Sequence, residues 1–187
     1  MASNLFTSPT RWIVAVLHHK SAVWLLCLML LITIIARPPA ASAQPEEVIV
    51  SDLTPLDLQY MDRQRELVDE LSRLNLGSSC CDSRADLPLL QRMLDDNVVR
   101  SDQRLELQAM GIVMGDILAA ELDMQWVIYE DQYGRSRALR LGDTDNYLFP
   151  VTMISRRREA ANMESVEFIY DKAYSSIEAR LPPRPYQ

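Results

Sequence analysis

The stretch from Leu107 to Ile154, LQAMGIVMGDILAAELDMQWVIYEDQYGRSRALRLGDTDNYLFPVTMI, holds most of the patterned apolar sequence and the clearest turn signals of the chain. Leu107, Met110, Met114, Ile117, Leu118 and Leu122 recur at helical spacing, which predicts a helix over Leu105 to Leu122. Gly111 and Gly115 stand four apart on one face of it. Each glycine costs a helix about 0.8–1 kcal/mol relative to alanine, so a close crossing is the physical reason for having two. Gln125 to Tyr129 follows as a strand rich in β-branched and aromatic residues, and Asp131-Gln132-Tyr133-Gly134 turns the chain. Ser136 to Leu141 returns, Gly142 to Asn146 is a polar loop, and Tyr147 to Phe149 is a third short strand. Pro150 suits the first turn of a helix over Val151 to Arg158. The whole stretch lacks His, Cys and Lys, so its chemistry is confined to carboxylates, hydroxyls, phenols and guanidinium groups.

The flanks are helical. Thr54-Pro55-Leu56-Asp57 combines a capping hydroxyl, a proline whose missing donor costs nothing there, and an acid at the positive helix end. Leu58, Met61, Leu67, Leu71 and Leu74 then predict one apolar stripe that Gly77 ends. Asp62, Arg63, Arg65, Glu66, Asp69, Glu70 and Arg73 read as a solvated face with local ion pairs. Asp86-Leu87-Pro88-Leu89 starts a second helix carrying Leu90, Met93 and Leu94. A last helix places Val166, Ile169, Ala173, Ile177 and Leu181 on one side before Pro182 and Pro183 stop it. The sum is an α+β fold, a small antiparallel sheet of two or three strands packed against four or five helices. It occupies one domain over residues 54–182, after a flexible lead-in over 44–53 in which Val48-Ile49-Val50 offers an optional edge strand.

Residues 1–43 read as a secretory signal peptide. Arg11, His18, His19 and Lys20 precede the apolar run Ser21 to Ile35, and Ala41-Ser42-Ala43 supplies a small-x-small cleavage site. The apolar run is shorter than the roughly 20 residues of a membrane span. Extension by Trp12 to Leu17 would give the competing reading, an uncleaved inner-membrane anchor interrupted by His18-His19-Lys20. Cys27 sits inside the apolar run with no small residue before it, which argues against a lipid anchor.

Cleavage after Ala43 takes 43 of the 187 residues and leaves 144. It also removes Arg11, Lys20 and Arg37 with no acid, so the formal charge moves from −7 to −10. Both histidines leave with it, which excludes histidine triads and histidine zinc sites in a periplasmic product. An acidic chain without a basic helix is also a poor nucleic-acid binder.

Three groups of residues are candidate sites. Trp126, Tyr129, Tyr133 and Tyr147, with Arg135, Arg137 and Arg140, would form a binding surface for an anionic or sugar ligand or a protein partner if they converge at one end of the ribbon. The bland alternative packs Trp126 and some tyrosines in the core and uses the arginines to offset nearby acids. Asp143-Thr144-Asp145-Asn146, with Glu130 and Asp131 near across the ribbon, would offer oxygen ligands to a hard cation or an acid/base pair of the sugar-hydrolysis kind. Leu148 and Ile154 stand where a calcium loop has its glycine and glutamate, so turn formation is the plainer reading. The adjacent Cys80 and Cys81 are open to a vicinal disulfide, intermolecular bonds or a redox pair, with a structural role favoured by the absence of a neighbouring His or Lys. Arg156-Arg157-Arg158 is a further patch, explained by the negative end of its helix. No cofactor and no metal is implied.

The segments MGIVMGDILAAEL, WVIYEDQYGR, ALRLG and LFPVTMISRR resemble the bacterial DUF3806 domain family, over about residues 85–180. That resemblance brings no established activity and no catalytic residues. Because the chain after cleavage is poor in the usual nucleophile activators, the sequence favours a non-catalytic accessory protein of the periplasm with a protein partner in the envelope. A small envelope hydrolase using Asp or Glu, and an inner-membrane-tethered form of the accessory protein, are the alternatives.

Overall fold

A computed structural model describes residues 48–81 and 83–181. The chain divides into two units, Met1–Pro45 and Glu46–Gln187. The leader and its cleavage site lie outside the described residues. So do the lead-in up to Glu47 and the stop at Pro182 and Pro183. The strands are β1 (Ile49–Asp52), β2 (Met124–Asp131), β3 (Gly134–Leu141) and β4 (Tyr147–Leu148). The helices are α1 (Pro55–Leu76), α2 (Leu87–Asp95), α3 (Arg104–Leu122), α4 (Met153–Glu159) and α5 (Val166–Glu178). The result is α+β, with five α-helices and one four-stranded antiparallel sheet in the order β1-β2-β3-β4 among the described residues. The strand beyond the expected three is β1, which pairs with β2 from Ile49 opposite Glu130 to Asp52 opposite Val127.

Helix α3 is buried on every side over residues 109–115, because α1, α4, α5, the sheet and the 3-10 turn Pro150–Thr152 pack around it. The two glycines explain how. A Cβ on Gly111 would sit 2.6 Å from the carbonyl oxygens of Pro150 and Val151, and one on Gly115 would sit 2.5 Å from the Trp126 ring. The crossing expected from their spacing is made by a turn and an indole, so Pro150 opens a 3-10 turn and the α-helix itself starts at Met153. Asp123, at φ 52, ends α3 and lets β2 begin at once.

Helix α1 starts and stops where its sequence indicates. Thr54 and Asp57 form a reciprocal capping box, and Gly77 closes the other end at φ 68. Its inward line differs from the expected stripe. Asp57, Met61, Val68 and Ser72 are buried, whereas Leu58 and Leu74 are exposed. Arg65, expected on the solvated face, lies between Met61 and Val68 on the inward side and bonds to α3. The middle of the expected stripe, Met61, Leu67 and Leu71, does face the core, and Asp57, Arg65, Val68 and Ser72 join it there while the two end leucines stay out. Below the helix, Ser72 donates to the Ser78 carbonyl at 2.7 Å and Asp69 accepts from the Cys80 N–H at 3.1 Å, holding the loop that carries the disulfide between Cys80 and Cys81.

Candidate functional site

Strand alternation sorts the candidate residues before any contact is considered. Trp126, Ile128 and Glu130 stand opposite Leu139, Arg137 and Arg135, so all six share the face turned to the helices. Tyr129 stands opposite Ser136, and Gln125 opposite Arg140, which in turn stands opposite Tyr147, on the outer face.

On the helix side two carboxylates collect the donors. Asp57, with a side chain only 3% exposed, accepts from Arg135 at 3.0 and 2.6 Å, from Arg137 at 2.8 Å and from the Thr54 hydroxyl at 2.6 Å. The Arg135 hydrogen bond, helped by Thr54, outweighs burial and holds this carboxyl well below the usual carboxylate range. The Arg137 guanidinium also lies 4.3 Å from the Tyr60 ring centre, and its Nε is buried without a partner among the described residues. Asp116 of α3 accepts from Arg65 at 2.8 and 2.9 Å and from the Trp126 indole N–H at 2.9 Å. Asp57, Arg65 and Asp116 were absent from the sequence candidates. The Thr54 to Asp57 capping signal read as local, and nothing in the spacing pointed to Arg135 and Arg137, about 80 residues away.

The outer face holds a separate group. Tyr129 meets Tyr147 edge-on at 5.0 Å and Phe149 at 5.3 Å, over Ala138 and Val127, which are buried. Arg140 lies 5.9 Å from the Tyr147 ring and donates to the Thr144 carbonyl at 2.9 Å. Tyr133, 85% exposed at the hairpin tip, makes no ring contact with them but lines the same cleft as Tyr129. The seven residues therefore converge only in part: Tyr129, Tyr133, Arg135 and Arg137 line one cleft near the hairpin end, whereas Trp126, Arg140 and Tyr147 lie outside it. Trp126, Arg135 and Arg137 serve as ties to the helices, while Tyr129, Tyr147 and Arg140 line the opposite face.

The acidic group is also divided. Glu130 and Asp131 sit at the hairpin end of the ribbon and Asp143 and Asp145 beyond its other end, separated by the length of β3, roughly 23 Å at 3.3 Å per residue. The register corrects the expectation that they are neighbours across the ribbon. Asp131 accepts from the Tyr133 N–H at 2.8 Å, as a turn residue does. Among the described residues no group of three or more His, Cys, Asp or Glu could hold a metal ion. The arginine patch divides in turn: Arg157 pairs with Glu164 at 2.9 Å, Arg158 is buried, and Arg156 is exposed with no ion pair among the described residues.

A cleft of about 440 Å³ lies where β4 stops, lined by Tyr129, Arg135, Ser136, Arg137, Phe149 and Arg156 among others. Its origin is backbone geometry. In an antiparallel ladder alternate residues turn both backbone groups to the same neighbouring strand. The Leu141 N–H donates to the Asn146 carbonyl at 3.1 Å, on the β4 side, so Leu139, Arg137 and Arg135 face that side too. Leu139 pairs with Leu148. Arg137 would next meet Pro150, which has no N–H and turns the chain into the 3-10 turn. Arg135 and Arg137 thus present their backbone groups to the cleft with no backbone partner among the described residues.

A smaller cleft of about 260 Å³ lies between the disulfide loop and α3, lined by Cys81, Arg84, Asp116 and Glu121 among others. Its polar groups are engaged: Glu121 accepts from the Tyr170 hydroxyl at 2.7 Å, and Arg84 reaches Glu121 at 3.5 Å and Asp171 at 3.0 Å.

These features define an α+β domain whose sheet, among the described residues, is open along β1 and beside β3 where β4 stops, and comparison places its central part. Residues 86–170 match the family DUF3806, a domain of unknown function. The match bears out the resemblance in the sequence and runs from α2 into α5. Strand β1 and helix α1 fall outside it, although Asp57 and Arg65 tie α1 to the matched region. A crystal structure from Bacteroides thetaiotaomicron VPI-5482 is similar, with a TM-score of 0.63 at 18% identity, covering 74% of this chain and 51% of that one. This chain spans about half the length of that structure, and the likeness is one of fold. No curated protein matches the chain.

Proposed function

We propose that the protein is an exported, non-catalytic accessory protein of the cell envelope, and that it binds a protein partner along the cleft beside β3. Export rests on the pattern of residues 1–43, a basic segment, an apolar run and a small-x-small site. No described helix is long and apolar enough to cross a membrane. The observation that carries the binding reading is the contrast between occupied and open groups. Asp57 and Asp116 are spent on holding helices in place, and the carboxylates of the two loops stand too far apart to share one bond. At β3, by contrast, backbone groups, aromatic edges and the Arg156 guanidinium all face one cleft.

A photo-crosslinking residue in place of Tyr133, beside that cleft, tests the reading in living Gram-negative cells. A discrete adduct in the soluble envelope fraction, on a chain beginning at Gln44, is expected. Absence of any adduct, or a chain found only in the cytoplasm, overturns it. Retention in the membrane with residue 1 present would replace the periplasmic form by the tethered one.

A further inference from the structure

We infer that the Gly134–Arg137 edge of β3 takes up an extended acidic segment of a partner protein as a fifth strand, an inference that rests on the binding reading above. The N–H and C=O groups of Arg135 and Arg137 face the cleft with no backbone partner among the described residues. They recur every second residue, about 6.6 Å apart, which is the repeat of a strand and not of a compact small molecule. An added strand would exchange both backbone bonds at the residues opposite Arg135 and Arg137. Side chains at those positions would point to the helix-facing side, where the two guanidinium groups lie, and the residue between them would point with Ser136 toward Tyr129 and Phe149.

The charges around the cleft select acidic residues at the bonded positions. Arg135, Arg137 and Arg156 line it with Asp131 as the one acid among the lining residues, the buried Asp57 behind the first two and Glu130 opposite Arg135 on β2. Arg156 has no ion pair among the described residues, and the Arg135 side chain remains 41% exposed beside Asp57. A second copy of this chain, pairing edge to edge, would set these arginines against their equivalents, which disfavours that occupant. The pattern that fits is acidic, apolar, acidic in extended conformation.

The test uses a capped, fluorescently labelled seven-residue peptide of alternating glutamate and valine, added to the protein as recovered from the envelope. Saturable binding is expected, at least ten-fold tighter than that of the lysine–valine counterpart. Methylation of the glutamate backbone nitrogens should abolish it, and methylation of the valine nitrogens should leave it within about two-fold. Exchange of the Arg135 and Arg137 amide hydrogens should slow at least ten-fold on binding while that of Ser136, already paired to Tyr129, stays unchanged. The Arg156→Glu variant should bind at least ten-fold more weakly with its urea midpoint unaltered. Equal binding of the lysine peptide, indifference to glutamate methylation, full displacement by free glutarate, protection at Val50 and Asp52 on the β1 edge, or no binding at all would each overturn the inference. A Tyr133 crosslink that persists alongside any of these results would leave the envelope-partner reading standing and remove only strand addition.

Discussion

Helices α1 and α3 lie side by side in one domain and are held by different means. Around α3 the contact is dry and close, with Gly111 against two backbone carbonyls and Gly115 against an indole ring. Around α1 the apolar contact of Met61 and Val68 is joined by a polar one, with Asp57 gripped by Arg135 and Arg137 and Arg65 reaching Asp116. A glycine contact is fixed by shape and fails when anything is added. An ion-pair contact is fixed by charge and fails when pH or one partner is changed, at a cost that solvent exposure reduces. The two seats should therefore respond differently to the same kind of insult.

The largest effect is expected at the dry seat. Gly111→Leu should cost about 3 kcal/mol, the upper end for overpacking, because the atoms it meets belong to backbone and have no rotamer to yield. Gly115→Leu should cost less, since the Trp126 ring can tilt once its bond to Asp116 is given up. Urea midpoints measure both. A shift no larger than that of Ala120→Leu, an exposed site on the same helix, would remove close crossing as the reason for the glycines.

At the polar seat, Asp57→Ala should cost about 2–3 kcal/mol, of which roughly 1 is the lost cap and the rest a pair whose arginine side is partly exposed. Asp57→Asn keeps the cap and should cost less. The acid limb sharpens the comparison. The folded Asp57 carboxyl titrates below its unfolded value of about 3.9, so its contribution is complete above roughly pH 4 and is lost as pH falls through the folded value. Asp57→Asn should flatten the stability profile below pH 4, whereas Gly111→Leu should shift it downward without changing its slope. An unchanged acid slope in Asp57→Asn would mean that the pair contributes nothing beyond the cap.

The same contrast explains what the sequence disclosed. The extent of α3, both caps of α1, the hairpin and the α+β class follow from spacing and turn chemistry, which act within a few residues. The glycine pair even announced its crossing, because two glycines in an apolar helix have a local cost that demands a reason. The partner of that crossing was hidden, since a turn about 35 residues on leaves no mark on α3. Helix α1 was legible in part for the same reason. Met61, Leu67 and Leu71 of its stripe do pack inward, whereas Asp57 and Arg65 join that face through partners 51 to 80 residues away that leave no local mark. The seven binding candidates were the right residue types in the right strands, and strand parity alone could have separated Trp126, Arg135 and Arg137 from Tyr129, Arg140 and Tyr147 once the register was known. The cleft depended on where β4 stops. Pro150 carried that signal in the sequence as a helix start, and its second consequence, a missing donor opposite Arg137, required the register.

The Asp116 junction should give a smaller effect than Asp57. Trp126→Phe removes one N–H bond and should cost about 1 kcal/mol, and Asp116→Asn a similar amount. Because both act on one carboxylate, the double variant should fall short of the sum by at least about 0.5 kcal/mol. Strict additivity would mean that the indole bond and the Arg65 pair are independent and that Trp126 is placed by Gly115 alone.

The smallest effect is expected where an acid has no such junction. The Asp143 side chain is fully exposed and stands 3.9 Å from Arg140, which already donates to the Thr144 carbonyl. Asp143→Ala should leave the urea midpoint within the scatter of repeat measurements at both low and high salt, and added calcium should not move the thermal midpoint of the parent protein. By residue type alone Asp143 and Asp57 are equivalent, and in sequence Asp143 lay in the more suggestive cluster. Burial and two converging guanidinium groups separate them, so a midpoint shift for Asp143→Ala, or a calcium-dependent rise in the parent, would show that the polar loop holds a site which the ribbon register keeps out of reach of Glu130 and Asp131.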